Sequence, residues 1–389
     1  MKINLYQSDK ECYFWTREEI RFLEEEYPHL YTRMAGNTYI SFRGHEVKII
    51  PNMIWGSLFN EFDANLDYCI IVIQRGSIHK SDFYSLIELI KKNPEIKFII
   101  VCKNFEDYWL AQPMRESDTE LKEIGSLSNV TIIWDVEGVD YKNFYFEPKV
   151  NLQNYYNSTS VRLYMFINGT ELFHKLEKEY RIGIHMNKVV DKVRDFLYMT
   201  YTNHTYPTLL FTSTDTKKGK IFQNSIYGLN DENSVVTENW YYEQFLELTT
   251  KSQMEVIYET FTTTTEFRWL LKWTEKTIKQ LYLAKPFIHA DPAAHSLLKP
   301  NGLTPYRSLY TDKLWDIYEG YDNQNLLHLN YSESDFFWKQ ALEENIEWLL
   351  QMDTTEWNER ISEANRVAMD NKRIIEEYIF NQSLFKYVK

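Results

Sequence analysis

Short apolar runs alternate with charged or amphipathic stretches along the chain, the pattern of an α/β protein. Residues 2–6 (KINLY) alternate and predict a first strand, and the charged stretch up to Ala35 reads as helix with Glu24, Glu25 and Glu26 on a solvated face. Residues 46–51 (EVKIIP) predict a strand. Residues 67–74 (DYCIIVIQ) form a continuous apolar run, the mark of a strand buried on both faces of a parallel sheet. Arg75-Gly76-Ser77 turns that run into a helix over 82–92, and strands recur at 96–102 (IKFIIVC) and 130–134 (VTIIW). These elements predict a doubly wound α/β domain over 1–155, and the polar, Asn-rich stretch 141–160 reads as a connection out of it.

A second alternation follows: strand 161–167, helix 170–179, strand 180–185 (YRIGIH), helix 189–200 and strand 208–213. Residues 214–239 read as a surface excursion and 243–248 as helix. The stretch 254–308 then reads as strand (254–262), loop, helix (274–284), short strand (286–290), helix and Gly turn, with Ile278, Leu281 and Tyr282 at helical spacing. This predicts a second α/β domain over 156–332, followed by C-terminal helices over 333–389; the helical patterns themselves run over 312–318, 333–350 and 354–380.

Composition adds limits. The 389 residues are 44% hydrophobic and 25% charged, an ordinary globular balance with length for two domains. Aromatics reach 16%, read here as core packing in preference to sugar-stacking platforms. The net charge of −13, from 43 basic and 56 acidic residues, disfavours nucleic acid unless a local patch drawn from Arg17, Arg33, Arg43, Lys48 and Arg75 overrides it. Cys12, Cys69 and Cys102 sit at wide spacings without a zinc pattern, which suits a reducing, cytoplasmic setting. The N-terminal residues lack an apolar leader pattern, no stretch has the length to span a bilayer, and the sequons at Asn157, Asn168 and Asn203 read as chance.

Candidate chemistry gathers around the second domain. Thr274 is the expected N-cap of a helix whose first turn carries Glu275 and Lys276, where free backbone N–H groups favour an anion. His289 and Asp291 leave the short strand at its carboxyl end, the side on which open α/β sheets bind ligands, and Gly302 marks the turn beyond. Asn187, Lys188, Lys192 and Arg194 follow the strand 180–185 and by themselves read as a solvated basic helix face, although a guanidinium there would suit a departing diphosphate. Glu259 would bind ribose hydroxyls or make a salt bridge at the helix start. Glu61, Asp63, Arg75, His79, Asp135 and Glu137 are undifferentiated candidates for proton transfer, and Asp135-Val136-Glu137 is a weak match to a divalent-cation motif, so no metal is expected.

The string W-T-E-K-T-I-K-x-x-x-x-A-K-P-F-I over 273–288, followed by a small-residue helix and Asn301-Gly302, resembles the nucleotide-sugar half of a viral and bacteriophage group of GT-B glycosyltransferases, distantly similar to α-1,3-fucosyltransferases. One departure is Gly302-Leu303-Thr304-Pro305-Tyr306, where that group has Gly-Phe-x-Thr-Phe. The resemblance implies a GT-B-like α/β fold: two Rossmann-like domains facing a cleft, with the C-terminal helices packing back on the N-terminal one. It also implies a UDP-, GDP- or related nucleotide-sugar donor. Lys276, Arg194 and Glu275 would be the catalytic residues, and Asn187, Lys188, Glu259, Thr274, His289 and Gly302 would bind the donor. Metal would be dispensable, the setting a phage-infected host cytoplasm, and the acceptor a modified DNA base, a protein or a glycan. A catalytically idle binding module and a different nucleotide-dependent α/β enzyme are the alternatives.

Overall fold

The computed structural model describes residues 1–7, 25–26, 38–50, 58–59, 62–73, 80–102, 123–134, 144–146, 170–171, 173–186, 192–201, 206–213, 249–259, 273, 275–321, 338–381 and 384–388. The apolar runs become strands: β1 (Lys2–Gln7), β3 (His45–Ile50), β4 (Tyr68–Ile73), β5 (Lys97–Cys102) and β6 (Val130–Trp134), which with β2 (Thr38–Phe42) and β7 (Phe144–Phe146) form one seven-stranded sheet of order β2-β3-β1-β4-β5-β6-β7. All neighbours pair parallel except β2 with β3. Ile70 and Ile71 point to opposite faces, yet both are fully buried, which is why the run shows no alternation. Helix α1 (Lys80–Lys92) connects β4 to β5, and buries Leu86, Ile87 and Ile90.

Two strands escape the apolar pattern. β2 (Thr38–Phe42) was not expected. It pairs antiparallel with β3 through the two-residue turn Arg43-Gly44, at φ 49 and 77, the positive-φ turn that matches strand twist. β7 (Phe144–Phe146) corrects the reading of 141–160 as connection: three residues of that stretch pair with Ile132–Trp134 and complete the sheet edge. Three residues are too few to show a period.

The second sheet holds β8 (Tyr180–Met186), β9 (Leu209–Ser213), β10 (Ser252–Ile257) and β11 (Phe287–His289) in the order β11-β10-β8-β9, all parallel. Helix α2 (Lys192–Tyr201) joins β8 to β9, and α3 (Glu275–Leu283) joins β10 to β11. β10 ends at Ile257, short of the expected 262, because its ladder with β11 stops at Ile257 opposite His289; Tyr258 and Glu259 leave the sheet. Next come α4 (Pro292–Ser296), α5 (Asp312–Glu319), α6 (Lys339–Gln351) and α7 (Thr354–Asn381). Asp291 caps α4 by accepting from Ala293 N at 2.8 Å, with Pro292 in the first turn.

The chain divides into a first unit, Met1–Ser158 with Glu377–Lys389, and a second unit, Thr159–Glu376. Helices α6 and most of α7 thus belong to the second unit, while the last residues return to the first, where Phe385 joins the core cluster of β1 to β6 and meets Phe42 at 5.0 Å between ring centroids. The expected strand 161–167, loop 214–239 and helix 243–248 lie outside the described residues, as do Glu61, Arg75, His79, Asp135 and Glu137. Among the described residues no helix is long and apolar enough to cross a membrane, and no group of three or more His, Cys, Asp or Glu is arranged to hold a metal ion.

Candidate functional site

Sheet topology decides where a ligand fits the second unit. From β8 the chain goes to β9 on one side, then crosses to β10 on the other. The connections that follow β8 and β10 therefore run to opposite sides, which makes this a topological switch point, the place at which open α/β sheets bind ligands. β8 ends at Met186, directly before Asn187 and Lys188, which lie outside the described residues. β10 ends at Ile257, and the next residue reaches across to β8: Tyr258 donates its hydroxyl to His185 O at 2.7 Å.

The start of α3 is built by a chain of buried groups. Glu259 Oε1 accepts from Thr277 N at 3.2 Å and also from Thr277 Oγ1. Thr277 Oγ1 lies 2.9 Å from His289 Nε2. The hydroxyl has one proton and gives it to Glu259, so His289 Nε2 carries the proton in the second bond. Burial pushes the His289 imidazole well below its ordinary range, with His295 adding to the effect, so the ring is neutral. Trp273 stacks on it at 6.2 Å and 16°, and is itself held by Trp273 Nε1 donating to Ala294 O at 2.8 Å. Tyr318 donates to His289 O at 2.9 Å and Trp338 Nε1 to Ala290 O at 3.0 Å, so α5 and the start of α6 fix the backbone on which the ring stands.

Deeper in the same sheet lies a buried charge cluster that the sequence reading missed. Glu255 Oε1 is 2.9 Å from His185 Nε2, and Oε2 pairs with Lys285 Nζ. Lys285 also donates to Thr249 O at 2.8 Å and Ser252 Oγ at 2.9 Å. Burial opposes ionisation of Glu255, but His185 and Lys285 overcome it and bring the carboxyl down to about 2. Gly183 stands beside it in register, and a Cβ there would come within 2.7 Å of Glu255 Oε2. The available signal was a glutamate inside the buried strand SQMEVI, opposite a glycine in YRIGIH.

Of the residues singled out in sequence, Glu259, His289 and the helix start at Glu275 and Lys276 come together. Lys276 is partly exposed in the first turn of α3, whereas Glu259 and His289 are fully buried. Arg194 falls in α2, the helix that follows β8, and Thr274 lies outside the described residues. Gly302 is exposed at φ 71, in a loop fastened to α7 by Asn371, which pairs with both Thr304 N and Thr304 O. A surface cavity of about 550 Å³ is lined by Thr170, His174, Asn365 and Met369 among others. Thr170 Oγ1 donates to Tyr282 O in the last turn of α3, so this cavity lies towards the amino edge of the sheet, at the far end of α3 from Lys276.

No family model matches the chain, and no curated protein matches it. Among solved structures it is similar to a crystal structure of α1,3-fucosyltransferase with GDP-fucose, with a TM-score of 0.37 and 11% sequence identity over 97% of this chain and 90% of that one. That likeness is weak, and the chemistry of the site rests on this chain's own residues.

Proposed function

We propose that this protein is a glycosyltransferase that binds a nucleotide-sugar donor at the switch point of the second sheet. The observation that carries the reading is the divergence of the connections after β8 and β10. The first leads into Asn187, Lys188 and Arg194, and the second leads through Tyr258 to the helix start that bears Lys276. Loss of the sugar leaves negative charge on the nucleoside diphosphate, and fixed cations at such a switch point stabilise it. In this reading Lys276 and Arg194 hold the diphosphate, Glu275 orients Lys276, and Asn187, Lys188 and Thr274 complete the donor site; Gly302 drops out, because its loop is fastened to Asn371, next to Lys372, which reaches Tyr282 O at the far end of α3 from Lys276. Arg194 offers a bidentate fork and Lys276 a compact point charge. Cationic side chains replace a divalent ion here, so turnover is expected to survive EDTA.

The test is release of free nucleotide from a panel of UDP-, GDP- and CMP-sugars with candidate acceptors. Lys276→Ala and Arg194→Ala should each lower turnover by about 100-fold or more, the usual effect of losing one charge-stabilising donor, with unchanged circular dichroism. Near-normal turnover from both folded variants would remove these residues from the site. Nucleotide binding without sugar release across the panel would favour an idle binding module.

A further inference from the structure

We propose that Glu259, Thr277 and His289 are positioning residues, a buried relay that sets the start of α3 so that Lys276, and not the Glu259 carboxylate, meets the diphosphate. This rests on the donor site proposed above and departs from the sequence expectation that Glu259 and His289 touch the donor.

Three observations carry it. Glu259, Thr277 and His289 are each 0% exposed, so none presents a surface to a ligand. The Glu259 carboxylate already accepts from Thr277 N, the third N–H of α3, and so occupies the place at a helix start where an external anion would otherwise bind. The relay also has a fixed polarity: His289 Nε2 donates to Thr277 Oγ1, which donates to Glu259 Oε1. β10 and β11 are laddered as far as Ile257 and His289, and the relay fastens the residues at these two carboxyl ends to the first turn of α3, which lies outside the ladder. His289 Nδ1 is buried without a hydrogen-bond partner. The imidazole therefore contributes through Nε2 alone. Lys276 immediately precedes Thr277, and its reach follows from where the relay holds that turn.

Isothermal titration with GDP and UDP, and with their 2′-deoxy analogues, tests this. Thr277→Val, which removes the hydroxyl at similar volume, should weaken binding roughly 10-fold or more, as small misplacements of a charge-bearing group do. Thr277→Ser should restore it. In a Lys276→Ala background, Thr277→Val should cause no further loss, because the relay acts through that lysine. Glu259→Gln should weaken ribo- and 2′-deoxyribonucleotides by the same factor. Wild-type affinity in folded Thr277→Val, losses that add to Lys276→Ala, or a Glu259→Gln effect that vanishes with the 2′-deoxy ligands would each overturn the relay, the last in favour of direct ribose contact. If Thr277→Val does not fold, His289→Gln, which keeps an N–H near Nε2, should bind better than His289→Leu, and equal binding overturns the proposal. A wild-type protein that binds neither nucleotide nor any donor of the panel defeats the donor site itself, and the relay with it.

Discussion

The two units are built on the same kind of parallel sheet and differ in what they bury. Among the described residues of the first unit, the buried polar side chain is Asn4, which donates to Tyr6 within the same strand. The rest of its core is the aliphatic and aromatic packing of β1 to β6. The second unit buries Glu255, Glu259, Lys285, His289, Asp291, His295 and Lys372 around four short strands. An apolar core asks mainly for hydrophobicity and volume, whereas a buried charge is tolerated only where a particular partner reaches it. The unit with the polar core is also the one that holds the switch point between β8 and β10. Its buried charges cost stability and specify geometry, and the relay at α3 is one instance.

The largest expected effect that would break or sharpen this contrast is Glu255→Gln. It keeps the shape of the side chain yet leaves the Lys285 ammonium buried without its carboxylate, and should cost about 3–5 kcal/mol in denaturant unfolding. A double variant, Glu255→Leu with Lys285→Met, should recover most of that loss, and failure to recover would mean the cluster is not governed by charge burial. Gly183→Ala should follow at about 1–3 kcal/mol, the range for overpacking, because its new Cβ meets the Glu255 carboxylate.

Lys372 supplies a pH-dependent test. Burial lowers it to about 7 from 10.5, against the opposing pull of Glu376, while its ammonium donates to Tyr282 O at 2.8 Å. Because the folded value is depressed, the cost of charging it is fully present below about pH 7 and is relieved as pH rises towards 10.5. Stability of the wild type relative to Lys372→Met should therefore climb over that window by up to about 1.4 kcal/mol per pH unit. A flat difference would show the amine to be solvated. The smallest effect belongs to the first unit: Ile100→Leu, a volume-conserving exchange in its sheet, should cost less than about 1.5 kcal/mol by the same unfolding measurement.

Legibility in the sequence followed the same division. The strands at Tyr68–Ile73, Lys97–Cys102 and Val130–Trp134 were readable because a run buried on both faces leaves an unbroken apolar signature. The helix Glu275–Leu283 was readable from its spacing, and its first turn from the order Thr274, Glu275, Lys276. β2 was overlooked because its turn, Arg43-Gly44, lacks the commoner Asn-Gly or Asp-Gly signal, and β7 because Phe144–Phe146 is too short for a period to register. The candidate site was only half visible: Glu259 and His289 stood out as polar residues at strand ends, but nothing in the local pattern singles out Thr277 or Lys285, whose partners lie 18 and 30 positions away.

What the sequence determined by itself was local: which segments are strands or helices, and that they alternate in the α/β manner, because periodicity and burial are recorded residue by residue. What only the tertiary structure decided was pairing across long separations. The order β11-β10-β8-β9 places the switch point between β8 and β10. The ion pair of Lys285 with Glu255 and the relay from His289 through Thr277 to Glu259 join residues 30, 12 and 18 positions apart. A buried charge looks the same in sequence as an exposed one; its partner becomes known only when the fold brings the two within hydrogen-bonding distance.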